Sequence, residues 1–548
     1  MKMENDFLAL EKRLMNRNKW TYSLGGIGRD MMYSLVASFF IIFIQFTKGL
    51  TAQQFSVVGI ILVIGRIWDG INDPIMGGIV DNTRSKWGKF KPWIVLGAIL
   101  TGISVILMFN LPVTGWGFVI FFGIIYFFWE IAWTLNDIPY WSLLPNLATD
   151  KKNRDQIAMM VVVFAAVGAF LANAIVTFTT VGNAIKGYSI ISITFVIFFL
   201  ACTALTVFGV KEPRMIQPEK EEKVSLKQMF GSIKNNDQLL WSALSLLLYS
   251  VGSGLLVALG YNFFYLELGY DGSMVLVFIV TFGVTTIVIQ SFYAQIAKRF
   301  KRNTLLKFSI AIIVFGYLMM LALDYIPFLS VSLFTVSLFG GLVFGGQAIF
   351  YMVTIVNMTN TIEYNEYRTG QRNEAVLFSL RPFVTKLASA IQQGVVTLVL
   401  VVSGIYALSQ NVSQLELQKN NFDTLISVEL QQEYKDNVVN RTIILDNEDM
   451  TEEEKNAVYD ALLLVEYQGV DGTLQEMYIN DAANAAFRDS ANGSMHIILR
   501  LAITILPIIL IYFAYLIFMK KFVITEEYYE DLLIKITEKE SNINKANN

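Results

Sequence analysis

The chain has 548 residues, of which 54% are hydrophobic and only 16% charged, and its mean hydropathy is +0.51. That balance excludes a soluble globular chain and identifies an integral membrane protein. A net charge of −3 without a basic stripe argues against nucleic-acid binding, and a single cysteine, Cys202, with a single histidine, His496, excludes a disulfide framework and a Cys/His metal site.

The N-terminal segment MKMENDFLALEKRLMNRNKW mixes acids with bases and has no short apolar core before a small-residue cleavage site, so it reads as a cytoplasmic start and not a removable signal. Apolar runs of roughly 20 residues, each long enough to cross the hydrocarbon core as helix, follow along the chain. About twelve are expected, centred near 33–46, 54–80, 92–110, 117–144, 157–181, 188–210, 238–264, 273–297, 308–325, 329–358, 376–404 and 495–518. Lys and Arg concentrate in alternate loops, in RSKWGKFK, DKKNRD, residues 211–236, KRFKRN and the KK at 520, while the short loops of the other side hold only Lys48 and Lys186. That asymmetry puts both termini in the cytoplasm.

The polar segment 211–236 reads as a central cytoplasmic linker between a bundle over 1–210 and a second bundle that starts at 237–408. Two six-helix bundles around such a linker form the layout of the major facilitator fold. Residues 409–494 carry 17 acidic side chains against five basic ones and lie between the last two spans. TEEEKNAVYDALLLVEYQ gives a capped amphipathic helical pattern there, so a small, mostly helical extracytoplasmic insertion is expected. It reads as a solvated decoration, with a lid, a sugar-capturing surface or a docking site as alternatives. Residues 495–518 form the last span and 519–548 a cytoplasmic tail.

Charges inside these spans are costly and should face the bundle interior. In RIWDGINDPIMGG, Asp69 and Asp73 are four apart on one helix face, with Asn72 beside them and Arg66 preceding Asp69 by three. Two close carboxylates raise each other's proton affinity unless a cation sits between them, and sodium favours such oxygen ligands. The competing reading is an internal salt bridge to Arg66. In WEIAWTLNDIPYWSLLP, Thr134, Asp137 and Trp141 lie along one stripe, which suits a carbohydrate: hydroxyl, carboxylate and a flat ring. Trp129 and Trp133 read as interfacial anchors, and Trp141 as either an anchor or the sugar-stacking ring. SLGGIGRDMMYS places Arg29 and Asp30 after glycines that let helices approach; neighbours on a helix point about 100 degrees apart, so the two need not pair. Lys386 stands alone in FVTKLASAIQQG, and the acids of the other half are its expected partners.

RIWDGINDPIMGGIVDNTRSKWGKFKPW, DIPYWSLLP followed by DKKNRDQ, and TNTIEYNEYRTGQRNEA with SLRPFVTK together resemble the sodium/melibiose symporter family, the glycoside-pentoside-hexuronide:cation symporters of the major facilitator superfamily. The resemblance implies that Asp69 and Asp73 coordinate the cation, sodium, with Asn72 and Thr134 beside them. It implies that Asp30 and Asp137 bond the sugar hydroxyls, that Trp141 stacks on the ring, and that Arg29 is a basic residue of the sugar site. Lys386 falls on the family's charged residue of the eleventh span, near the cation site, and Tyr351 falls where the melibiose transporter has a tryptophan. Val162 stands where that transporter has a sugar-binding arginine, so galactoside specificity does not carry over. The acidic insertion departs from the usual pattern, and no phosphotransferase-like regulatory domain is expected after the short tail.

The expectation is an all-α membrane protein with twelve transmembrane helices that imports a glycoside, pentoside or hexuronide by sodium symport, with Lys386 and Arg66 as coupling residues. Proton coupling is the alternative, and a non-sugar cargo such as a lysolipid a further one. A membrane-embedded enzyme using the paired acids, or a receptor built on the acidic insertion, is the rival from another class. No cofactor beyond the coupling ion is expected, and the protein should work as a monomer in the cell membrane.

Overall fold

Each apolar run is a helix in the computed structural model, which describes residues 2–147, 151–211, 231, 236–370, 374–445 and 450–547. Twelve helices among the described residues are long and apolar enough to cross a membrane, from Arg13–Thr47 to Gly493–Lys520. The first six are α1 (Lys2–Thr47), α2 (Ala52–Asn82), α3 (Lys91–Asn110), α4 (Gly115–Leu143), α5 (Lys151–Thr180) and α6 (Ala184–Gly209). The first span is far longer than the apolar run at 33–46, because Arg29, Asp30 and the glycines interrupt the hydropathy pattern without interrupting the helix. The central linker lies almost entirely outside the described residues.

The helices are amphipathic in the sense a bilayer requires. On α2 the stripe Ile60, Ile64, Ile67, Ile71, Ile75 and Ile79 is exposed, and the opposite face buries Arg66, Asp69 and Asn72. That stripe advances by three or four residues per step, the helical period. The α2 N-terminus is fixed by a capping box between Thr51 and Gln54.

The chain divides into two compact units. The first holds residues 1–218, 264–276 and 400–496; the second holds 219–263, 277–399 and 497–548. In the first, α1 packs on α5 and α6, α3 on α4 and α6, and α2 on α4. Its core includes stacked Tyr22 and Tyr140, 4.4 Å between centroids, whose hydroxyls donate to each other's backbone carbonyls at 2.8 and 2.7 Å. The second unit has its own core around Leu246, Met358 and Leu380.

The insertion begins where Gly404, at φ +80, ends the eleventh span and starts the helix Ile405–Asp423. Helices Val428–Val439 and Glu452–Leu462 follow, the latter with the expected capping box at Thr451 and Glu454, then a two-stranded hairpin pairing Glu466–Gln468 with Glu476–Tyr478. It is not a solvated decoration. Leu415, Val412 and Phe422 are fully buried, Tyr406 stacks on Phe55 at 3.9 Å, and the Tyr406 hydroxyl donates to the Leu50 carbonyl at 2.7 Å. Glu416 is fully buried and accepts from the Ala184 backbone N–H at 2.7 Å and from Tyr270 Oη at 2.9 Å. These contacts seat the insertion on the ends of α1, α2 and α6 and on the 264–276 segment.

Candidate functional site

Helix α4 organises the site because it presents Thr134 and Asp137, three residues apart, to α2 and α1 respectively. It can do so because α3 packs against it with no side chain between: a Cβ at Gly97 would lie 2.4 Å from the Asn136 backbone nitrogen. Asn136, fully buried, donates its side-chain amide to the Ile94 carbonyl at 2.8 Å, which sets the register of the two helices. Helix α1 comes close by the same device. A Cβ at Gly28 would lie 2.7 Å from Cys202 Cβ on α6, as the glycine-rich SLGGIG predicts.

On the α1 side, the Arg29 guanidinium pairs with two carboxylates, Asp137 and Asp30, the latter at 2.9 Å. The helix angle between neighbours suggested that Arg29 and Asp30 need not pair. They do, because the long arginine side chain covers the 100 degrees separating their Cβ directions. The guanidinium lies 4.8 Å from the ring centroids of both Tyr140 and Trp141. Arg29 is buried, while the Asp30 and Asp137 side chains keep about a quarter of their surface exposed. Trp141 is also 38% exposed, so part of its ring and part of both carboxylate side chains are accessible beside a fixed cation. A sugar presents hydroxyl donors and a CH face, and this surface offers acceptors and a flat ring.

On the α2 side, Thr134 Oγ1 donates to Asp69 Oδ1 at 3.4 Å and to the Glu130 carbonyl at 3.0 Å. Asp69, Asn72 and Thr134 are buried and Asp73 is half-buried. Beside the aspartates of its own helix, Arg66 also meets Glu130 of α4, which is fully buried and lies 3.9 Å from its guanidinium, and it donates to the Tyr33 hydroxyl at 3.3 Å. It also lies over the rings of Tyr33 and Trp129. Sequence reasoning missed Glu130. The signal was present, since a glutamate within the apolar WEIAW is as anomalous as Asp69. Trp129 and Trp133 are also corrected: with 0% and 5% exposure they are interior rings stacked 6.2 Å apart, not interfacial anchors.

Thr134 and Asp69 thus bring a hydroxyl and a carboxylate oxygen together between α4 and α2, and among the described residues no group of three or more His, Cys, Asp or Glu side chains converges. Val162 of α5 is exposed, at 59%. Tyr351 and Lys386 stand in the second unit. Tyr351 accepts from Arg381 Nη2 at 2.6 Å and packs against Tyr249, and Lys386 is half-buried on the eleventh span.

A family model described as MFS/sugar transport protein matches residues 21–428. Lactose permease of Lactobacillus delbrueckii subsp. bulgaricus is 30% identical over 417 residues, 72% of this chain and 64% of that one. The raffinose carrier protein of Pediococcus pentosaceus is 28% identical over 412 residues, 70% of this chain and 62% of that one. The chain thus spans less than two thirds of the length of these sugar permeases. Among solved structures, a bacterial homolog of the human lysosomal transporter Spinster, inward-facing and occupied, has a TM-score of 0.54 at 11% identity, covering 93% of this chain and 97% of that one. At that identity the likeness concerns the fold, which is the major facilitator fold. Since the family model takes in well over half of the chain, and since the relatives are named as a lactose permease and a raffinose carrier, this protein belongs to the MFS/sugar transport family, of the glycoside-pentoside-hexuronide:cation symporter type.

Proposed function

We propose that this chain is a secondary transporter, not an enzyme, which carries a neutral glycoside across the cell membrane together with sodium. The observation that carries the reading is the pair of sites joined by one turn of α4: Thr134 touches Asp69 while Asp137 holds Arg29. Sodium at Asp69, Asp73, Asn72 and Thr134 would fix the face of α4 that also presents Asp137 and Trp141, so that each ligand raises the other's affinity. Two carboxylates share the Arg29 charge, leaving the sugar side net negative; this favours a neutral glycoside over a hexuronide. Lactose permease and the raffinose carrier, both named for neutral oligosaccharides, support that class.

Alternating access around the site then moves cation and sugar together. A membrane potential of 100 mV supplies about 2.3 kcal/mol per charge, equivalent to about 50-fold accumulation for one cation per sugar. With both termini cytoplasmic, the insertion lies outside, and Tyr351 and Lys386 are the candidate substrate and coupling residues of the second unit. Proton coupling is the second reading, favoured by one observation: Glu130 adds a buried titratable group to the Asp69 cluster.

The test is thermal unfolding across glycosides, pentosides and uronides, each in sodium and in choline buffer. A ligand at about 100 times its dissociation constant adds roughly 2.7 kcal/mol. A neutral glycoside that stabilises only with sodium, and not in Asp73→Asn, is the expected result. Sugar stabilisation that ignores sodium and follows pH would replace sodium by the proton. Stabilisation by no sugar in any buffer would remove the sugar reading.

A further inference from the structure

The two basic residues of the short loops on the insertion side, Lys48 and Lys186, converge on one cavity of about 460 Å³ in the first unit. Its walls are the ends of α1, α3 and α6, and its roof is the insertion's first helix at Asn420, Asp423 and Thr424. Such lysines run against the positive-inside pattern of the rest of the chain, so their placement together calls for a physical reason.

Lys48 is mostly enclosed. Its Nζ donates to the Leu111 carbonyl at 2.9 Å and lies over the rings of Phe43 and Phe118 at 5.2 and 5.0 Å, with no carboxylate within 4 Å among the described residues. Burial lowers its pKa to about 8, the mark of an ammonium without its counter-charge. The cavity's carboxylate, Asp423, is held by Lys419 at 2.9 Å. The cavity's neutral acceptors are committed as well: Asn110 accepts from Ser189 and donates to Ser192. Among the described residues, what stands in the cavity without a carboxylate partner is the enclosed Lys48, with the exposed Lys186 and the Asn420 amide beside it. A neutral sugar needs donors and acceptors in balance, whereas this lining asks for an anion.

The height of the cavity identifies the source of that anion. Ile106, one turn before Asn110, and Ile190, next to Ser189, are exposed apolar side chains on α3 and α6, helices of the membrane span. Lipid tails cover such residues, and lipid headgroups lie at the level of the helix ends. We propose that this cavity binds the phosphate group of a lipid from the leaflet on the insertion side, with Lys48, Lys186 and Asn420 taking the phosphate oxygens. A basic pocket between membrane helices at headgroup level is the physical form such a site takes. Filled, it ties the insertion's first helix to α1 and α6.

The experiment uses the full chain, delipidated in an uncharged detergent, and follows its thermal midpoint with phosphatidylglycerol, phosphatidylcholine or inorganic phosphate. Phosphatidylglycerol is expected to raise the midpoint by about 2 °C or more, and the Lys48→Gln/Lys186→Gln double variant to need at least about tenfold more lipid for the same shift. Where the double variant is too unstable to melt cleanly, native mass spectrometry of lipid retained by Lys48→Gln and by Lys186→Gln, each against the parent, gives the same comparison. Equal stabilisation by inorganic phosphate, lost in the variant, would overturn the lipid and leave a free-phosphate site. A lipid shift that the variant keeps in full, or no shift at all, would overturn the site.

Discussion

Glu130 and Arg66 show how a charge inside a span is accommodated. Each is almost wholly buried, and each would be prohibitive alone; 3.9 Å apart, they make one another tolerable. Removing one member of such a buried pair costs roughly 3–5 kcal/mol, while replacing both by apolar groups costs far less. Glu130→Gln is therefore expected to lower the thermal midpoint of the purified protein strongly, and the double variant Glu130→Leu/Arg66→Met to melt closer to the parent than either single change. A strictly additive double variant would show that the pair is not a unit. Thr134→Ala makes a different prediction, because the hydroxyl touches Asp69 without neutralising it. Sodium affinity, read as the salt concentration needed for half-maximal stabilisation, should fall by about tenfold, the worth of one hydrogen bond to a charged group. Sugar stabilisation at saturating sodium should persist. At this scale the sequence was informative wherever a charge interrupted an apolar run, which is why Asp69, Asp73, Arg66 and Arg29 stood out. It was uninformative about pairing. Helical angles say where a Cβ points, and arginine side chains reach well beyond that direction.

Helix placement rests on glycines more than on any polar contact. Gly97 of α3 meets the α4 backbone itself, with the Asn136 nitrogen and the Leu135 carbonyl carbon 2.4 and 2.6 Å from an added Cβ, so no side chain can move aside to make room. Gly97→Ala must push α4 away, and Thr134 and Asp137 travel with it. The expected result is a loss of about 1–3 kcal/mol in stability together with weaker binding of both cation and sugar. Gly283→Ala, where an added Cβ meets nothing within 4 Å, is the control and should leave both unchanged. The helices themselves could be read from hydropathy, as could the capped helix at Glu452–Leu462, because length, apolarity and capping are local properties. The long first span could not. Buried Arg29 and half-buried Asp30 lower the local hydropathy, and only the pairing of Arg29 with Asp30 and Asp137 explains why the charge stays inside.

At the scale of the whole molecule, the insertion is the part that sequence reading understated, since acidic composition speaks of its outer surface and not of the face it buries. That face carries a titratable lock. Glu416, fully buried against Ala184 and Tyr270, has its carboxyl raised from 4.5 to about 7, chiefly by burial, against the opposing pull of the Ala184 N–H, the Tyr270 hydroxyl and Lys419. Released from its seat, the group would ionise near its ordinary value. Between about pH 4.5 and pH 7 the docked state therefore binds more protons than the undocked one, and docking weakens as pH rises through that window by up to roughly 3 kcal/mol, then levels off on either side. Thermal midpoints measured from pH 4.5 to 8 should decline across the lower part of that range in the parent. In Glu416→Gln, whose amide oxygen can accept from the Ala184 N–H while its NH2 donates to the Tyr270 hydroxyl, nothing ionises in the seat and the decline should largely vanish. A parent whose midpoint is flat or rising from pH 4.5 to 7, or a variant with an unchanged slope, would mean that Glu416 does not couple the docking of the insertion to pH.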